Sequence, residues 1–172
     1  MNALVFSDSH GRVGHIDEMM ARVLACGEKP THVLFLGDGL ADLSRAGSLD
    51  GQSVVAVRGN CDAFSVSGET EIKTVGLGQY RALMMHGHTH GVKLGLSRAI
   101  SLAVQAEVDL LLFGHTHQPF EMVLAEGQVY EGVRMTKPLY VFNPGSLGSG
   151  SFGQISLTNR GILMGHGSLL SP

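Results

Sequence analysis

Seven side chains able to hold a metal ion recur along this 172-residue chain, all in short segments just beyond apolar runs. They are Asp8 and His10, Asp38 in Gly37-Asp38-Gly39, and Asn60 in Gly59-Asn60-Cys61-Asp62. The rest are His86 in His86-Gly87-His88, and His115 and His117 in Gly114-His115-Thr116-His117. Two carboxylates, one amide oxygen and four imidazoles are too many for one closed tetrahedral site. With one carboxylate bridging, they suit two ions with water in the open positions. Such centres hold their ions roughly 3.5–4 Å apart and clamp both oxygens of an in-line displacement. Mixed nitrogen and oxygen donors suit Mn, Fe, Ni, Co or Zn better than Ca or Mg. The formal net charge is −3 with no block of Lys or Arg, which argues against stable nucleic-acid binding. A phosphate would have to find its positive charge in the ions instead.

The elements that position these residues alternate between strand and helix. Leu4 to Ser7 reads as a buried strand. Val13, Ile16, Met19, Met20, Val23 and Leu24 follow at helical spacing, and Gly27 and Pro30 end that helix. Strands are expected at 32–36 and 53–57, with a short helix around 41–46 between them. Glu71 to Val75 and Tyr80 to Met85 flank Gly76-Leu77-Gly78-Gln79 as a hairpin. A helix over 93–105, a strand over 108–113 and strands at 120–125, 139–142, 154–157 and 162–164 complete the reading. This is an α/β chain with parallel strands early and antiparallel ones late. In such sheets, ligand sites gather beyond the carboxyl ends of strands, where these donors fall.

The length suits a single domain over residues 1–172. No basic segment with an apolar core opens the chain, so no secretory leader is expected. No apolar run approaches the roughly 20 residues of a membrane helix. Two cysteines, Cys26 and Cys61, are too few for a disulfide framework, so a cytoplasmic location is expected. Edge strands in the late half offer a route to a homo-oligomer.

Asp-x-His, Gly-Asp, Gly-Asn-x-Asp, His-Gly-His and Gly-His-Thr-His, in this order, resemble the calcineurin-like metallophosphoesterase superfamily. The likeness is greatest to its small, single-domain, YfcE-like phosphodiesterase branch, which shares the Asn143-Pro144-Gly145-Ser146 turn. That resemblance implies two packed β-sheets flanked by helices. It implies a first metal at Asp8, His10 and His117, a second at Asn60, His86 and His115, and Asp38 as the bridge. Mn is the expected ion, with Ni, Fe, Co or Zn as alternatives. The implied reaction is attack of activated water on a small phosphate ester, with Asn60 helping to neutralise the phosphoryl oxygens. In much of the superfamily the Gly-Asn motif continues with His, a general acid for the leaving group. Cys61 takes that place here, as in many small-branch members. The change favours esters with good leaving groups, or another donor, for which His88 is the candidate.

Blander roles suit other residues. Asp42 would cap the short helix, and Arg58 would be a strand-end surface residue. Asp62 would either orient ligands or serve as a turn carboxylate. His90 belongs to a loop, Ser146 to a structural turn, and His15, His32 and His166 to the surface or to packing. Cys26 is expected to be a small buried apolar residue. The segments 63–70 and 118–137 would shape the pocket. Two other function classes compete. The same fold resembles a vacuolar-sorting coat subunit of the Vps29 type, a protein scaffold. Scaffolds of that type tend to lose ligands, whereas this chain retains every histidine the pattern asks for. A structural zinc protein is disfavoured by oxygen donors and the lack of a closed cysteine site.

Overall fold

Strand β1 (Asn2–Phe6) is buried from Ala3 onward. Alternate side chains of a strand face opposite ways, so an unbroken apolar run means that both faces are covered. Ala3 and Val5 join the central core, while Leu4 and Phe6 pack toward helix α1 (Val13–Ala25). Strand β2 (His32–Phe35) divides in the same way, Leu34 inward and Val33 and Phe35 toward the helix. The helix answers with Ile16, Met19, Met20 and Val23, one apolar stripe at helical spacing.

A second sheet repeats the arrangement. Strands β5 (Tyr80–Met85) and β6 (Leu110–Phe113) send Ala82, Met84, Leu110 and Leu112 to the central core. Their other faces, Leu83, Met85, Leu111 and Phe113, pack with Ala99, Ile100 and Ala103 of helix α3 (Ser97–Gln105). The result is helix, sheet, sheet, helix. The computed structural model describes residues 1–27, 29–62 and 68–170. Within them, helix α2 (Leu40–Leu43) and strands β3 (Val54–Ala56), β4 (Ile72–Leu77), β7 (Pro119–Leu124), β8 (Val129–Tyr130) and β9 (Val133–Arg134) fill the first part. Strands β10 (Leu139–Pro144), β11 (Ser151–Thr158) and β12 (Gly161–Ser168) close the chain. One five-stranded sheet runs β12-β11-β1-β2-β3 and the other β4-β5-β6-β10-β7. The expected sandwich of two sheets is therefore present.

Pairing is parallel between β1 and β2, β2 and β3, β5 and β6, and β6 and β10. The added strands β7, β11 and β12 are antiparallel. In the β4–β5 hairpin Leu77 faces Tyr80 across a turn where Gly78 has φ +65°, a conformation a side chain resists. Helix α3 starts at Ser97 rather than 93, because Gly95 at φ +156° lies outside helical space. The short helix spans Leu40–Leu43 rather than 41–46. The β8–β9 hairpin was not foreseen, and β11 and β12 are longer than expected. Cys26 is exposed, not buried, because it ends α1 at the surface. Among the described residues no helix is long and apolar enough to cross a membrane. Of the pocket-shaping segment 63–70, residues 63–67 lie outside the described ones.

Candidate metal centre

The carboxyl ends of β1, β2, β3, β5 and β6 all open on one edge of the sandwich. Each is followed within a few residues by one or two of the seven donors. Asp8 (φ +55°), His10 (+45°), Asp38 (+61°), His115 (+67°) and His117 (+60°) hold the left-handed conformation. Glu107 and Glu131 are the only other described non-glycine residues with positive φ. Such strain costs of order 1 kcal/mol or more per residue and persists where surroundings enforce it. Here it turns side chains back over the strand ends.

The side chains converge. Asp8 Oδ1 lies 3.1 Å from His117 Nε2, 3.8 Å from His10 Nε2 and 4.0 Å from His86 Nε2. Asp38 Oδ2 lies 3.3 Å from His86 Nε2 and 4.0 Å from His10 Nε2. Asn60 Oδ1 and His115 Nδ1 each stand 3.2 Å from His86 Nε2. His86 Nδ1 is spent on the Leu36 carbonyl at 2.8 Å, which leaves Nε2 for the cluster. One atom tests whether a cation fits. Asp8 Oδ1 is buried, with no hydrogen-bond partner. The ligand atoms of Asp8, Asp38 and His86 lie within 4.8 Å of one another. Two carboxylates that close repel by about 3 kcal/mol or more at an effective dielectric of ~20. A divalent cation would remove both the repulsion and the orphan. Asp8, His10 and His117 form a second group of the same size.

Supporting residues hold this geometry. Asp62 accepts from four backbone N–H groups: Asp38, Gly39 and Leu40 at 2.8 Å each, and Gly59 at 2.9 Å. It thus ties the Asp38 loop to the Asn60 loop rather than orienting a ligand side chain directly. Asp38 Oδ1 accepts from the Cys61 N–H at 2.7 Å. A Cβ at Gly59 would strike that same oxygen and sit 2.5 Å from the Asp38 nitrogen, so only glycine fits. Ser7 Oγ donates to Asp8 Oδ2 at 2.6 Å, and Ser146 Oγ to the Asp8 carbonyl at 2.9 Å. Asn143 Nδ2 donates to the Gly114 carbonyl and Thr116 Oγ1, bracing the loop that carries His115 and His117.

Two blander expectations are corrected. Asp42 does not cap α2; its Oδ2 takes Ser9 Oγ at 2.6 Å and the Gly11 N–H at 2.8 Å, pinning the His10 loop. Arg58 is not a free surface residue: its side chain is 13% exposed and pairs with Glu71 at 2.8 Å. Glu71, read from the sequence only as the start of a strand, also lies 3.8 Å from His88 Nε2. His88 Nδ1 is buried without a partner, and its ring sits 5.5 Å from His86 and 6.1 Å from His115. His90 Nδ1 meets Thr89 Oγ1 at 3.1 Å. His15 binds the Leu147 carbonyl at 2.8 Å, and His166 stacks on Phe142.

Electrostatics divide the imidazoles. Burial would lower the pKa of His86, but Asp38 and Asp8 outweigh it and raise it above 6.5. Burial would raise that of Asp38, yet the His86 and Cys61 hydrogen bonds hold it well below the usual carboxylate range. Burial and the His86 charge push His115 down to about 4 and lower His88. The Asp38 hydrogen bond and burial push the Cys61 thiol up. Without metal, His86 therefore holds a proton to higher pH than a free imidazole. Its stabilising contribution is complete below 6.5, the unfolded value, and is lost as pH rises through the raised folded value. His115 works in the opposite window, losing stability as pH falls from 6.5 to about 4. Metal binding needs both rings deprotonated. The rise in melting temperature on adding metal is therefore expected to grow as pH increases above 6.5 and through the raised value of His86. Calorimetry in matched buffers would read it, and a flat increment would contradict the proton–metal competition at His86.

A model of the calcineurin-like phosphoesterase superfamily domain matches residues 1–160. The chain is 31% identical over 147 residues to a probable metallophosphoesterase, YsnB, of Bacillus subtilis strain 168, spanning 86% of this chain and 75% of that protein. The solved structure of an archaeal phosphodiesterase superposes with a TM-score of 0.67 at 17% identity, covering 95% of this chain and 98% of that one. The zinc complex of Vps29 from Entamoeba histolytica also superposes at 0.67, with 20% identity and coverage of 98% and 99%. Overall shape thus fails to separate a phosphodiesterase from a sorting subunit, and the side chains at the strand ends must do so. On the extent of the family match and the identity to YsnB, this chain belongs to the calcineurin-like phosphoesterase superfamily.

Proposed function

We propose that this protein hydrolyses phosphate diesters at a centre of two divalent metal ions. The observation that carries the reading is Asp8 Oδ1, buried, without a hydrogen bond and within 4.0 Å of three imidazole nitrogens. In this reading Asp8, His10 and His117 would hold one ion, Asn60, His86 and His115 the other, and Asp38 would serve both. Such ions, when bound, would supply positive charge for the phosphoryl oxygens and lower the pKa of water enough for it to act at neutral pH. The protein's own groups set the geometry. His86 Nδ1–H donates to Leu36, so Nε2 is left as the electron-pair donor once its proton departs. Asn60 turns its carbonyl oxygen to the cluster, and its amide would help to neutralise phosphoryl charge. His88, beside His86 and His115 and 3.8 Å from Glu71, is the proposed donor for the departing alkoxide; burial and the His86 charge make it a stronger acid with less of its protonated form at neutral pH. Small phosphate esters are the substrates, and any homo-oligomer would form through the β7 or β12 edges.

The likeness to Vps29 supports a second reading, a scaffold for other proteins with little catalysis. One assay separates the two. Chelator-stripped protein would receive Mn²⁺, then Ni²⁺, Co²⁺ or Zn²⁺, with bis-p-nitrophenyl phosphate and the matching monoester as substrates. Metal-dependent cleavage favouring the diester is expected. Dominant monoester cleavage would overturn the diester assignment. No cleavage by folded protein with any ion would favour the scaffold.

A further inference from the structure

The seven-residue assignment leaves out Cys61, yet its sulfur lies inside the cluster. Cys61 Sγ, a His10 ring nitrogen and an Asp38 carboxylate oxygen all lie within 4.8 Å of one another. His10 also belongs to the group that contains Asp8 and His117, and Asp38 to the group with Asp8 and His86. The thiol thus shares its neighbours with the buried, unpartnered Asp8 Oδ1, 3.8 Å from His10 Nε2. Asn60 Nδ2 donates to Cys61 Sγ at 3.2 Å. The same bond turns Asn60 Oδ1 toward His86.

We infer that Cys61 supplies a thiolate ligand at the ion position served by His10 and Asp38, which biases the centre toward Zn²⁺ and Co²⁺ over Mn²⁺. The inference rests on the metal-centre reading above and deepens it by naming the ion class. As an ion enters, a sulfur lone pair forms the metal–sulfur bond, the S–H bond breaks, and the proton leaves to solvent. Nothing is oxidised or reduced. Thiolate is a soft ligand, so the gain falls to borderline ions such as Zn²⁺ and is small for the harder Mn²⁺.

The test uses the full chain carrying Cys26→Ser, which leaves Cys61 as the only cysteine. Chelator-stripped protein would be titrated with Co²⁺ and followed by absorption. The expected spectrum combines visible d–d bands with a near-ultraviolet sulfur-to-cobalt charge-transfer band. Adding Cys61→Ser should remove the near-ultraviolet band and keep the visible ones. It should also weaken Zn²⁺ binding by at least about 10-fold and Mn²⁺ binding by less than about 2-fold. Cys61 is exposed, so this change should leave the circular dichroism spectrum unaltered. Visible bands without the sulfur band in the Cys26→Ser protein would overturn the thiolate ligand and leave the metal centre standing. No cobalt absorption at all from folded protein would overturn both.

Discussion

Asp38→Asn is expected to abolish metal-dependent hydrolysis while the protein stays folded. Asp38 is 2% exposed, and its carboxylate sits between the His10 and His86 rings, 4.0 and 3.3 Å from its Oδ2. Asn has nearly the same shape and, after Gly, is among the residues most tolerant of the φ of +61° found here. Its amide oxygen can still accept the Cys61 N–H that Asp38 Oδ1 takes at 2.7 Å. Only the negative charge is lost, and that charge is what a bridge between two cations needs. Removing partners that merely orient metal ligands costs about 10- to 100-fold in affinity or activity. Loss of the proposed bridge should exceed that range in kcat/KM on the diester. Elemental analysis of the purified variant should find fewer bound ions per chain than in the parent. Parental metal content with activity within a few-fold of the parent would show that Asp38 bridges nothing.

The donors were readable because each follows an apolar run that the chain needs for its core. A polar residue at the end of Leu110–Phe113 has no packing reason to be His. The same logic places Asp38 after Leu36, and Asn60 after Val57. Both Gly-His-Thr-His copies follow strands, and sequence preferred the second. The structure brings His115 and His117 to within 3.2 Å of His86 and 3.1 Å of Asp8. The first copy forms a short 3-10 turn with only its leading histidine near the cluster. The residues that sequence misjudged act across the chain. Asp42 looked like a cap because caps are local, yet its partners Ser9 and Gly11 lie 33 and 31 residues away. Arg58 and Glu71 pair across 13 residues, a contact no periodicity encodes. Gly161–Ser168 hid its full length because glycine at 161, 165 and 167 breaks the apolar alternation. One of those gaps is filled by structure: a Cβ at Gly167 would collide with the Phe152 ring.

Asp62→Ala should give the largest loss of stability and a different signature from Asp38→Asn. The Asp62 carboxylate gathers four backbone N–H groups from two loops, at 2.8–2.9 Å. Hydrogen bonds to a charged acceptor contribute roughly 1.5–3 kcal/mol each, and a buried donor left without a partner costs about 1–3 kcal/mol. Asp62 is half-buried, so water can replace part of the loss. A net destabilisation of about 3 kcal/mol follows, or roughly 6–12 °C in Tm for a chain of this size. The Asp38 and Asn60 loops would then drift apart, although every proposed metal donor remains. Metal affinity should fall by about 10- to 100-fold, and excess metal should restore most of kcat. Excess metal should not rescue Asp38→Asn, which lacks the charge itself. Asp62→Asn should lie between parent and alanine, because one amide oxygen can still serve some of the four donors. Tm and metal-titrated turnover, measured on all three variants, separate the roles. If Asp62→Ala keeps the parental Tm and metal affinity, the loops are held by their own backbone geometry. If it fails at saturating metal as Asp38→Asn does, Asp62 acts on the reaction itself and not through the position of Asp38.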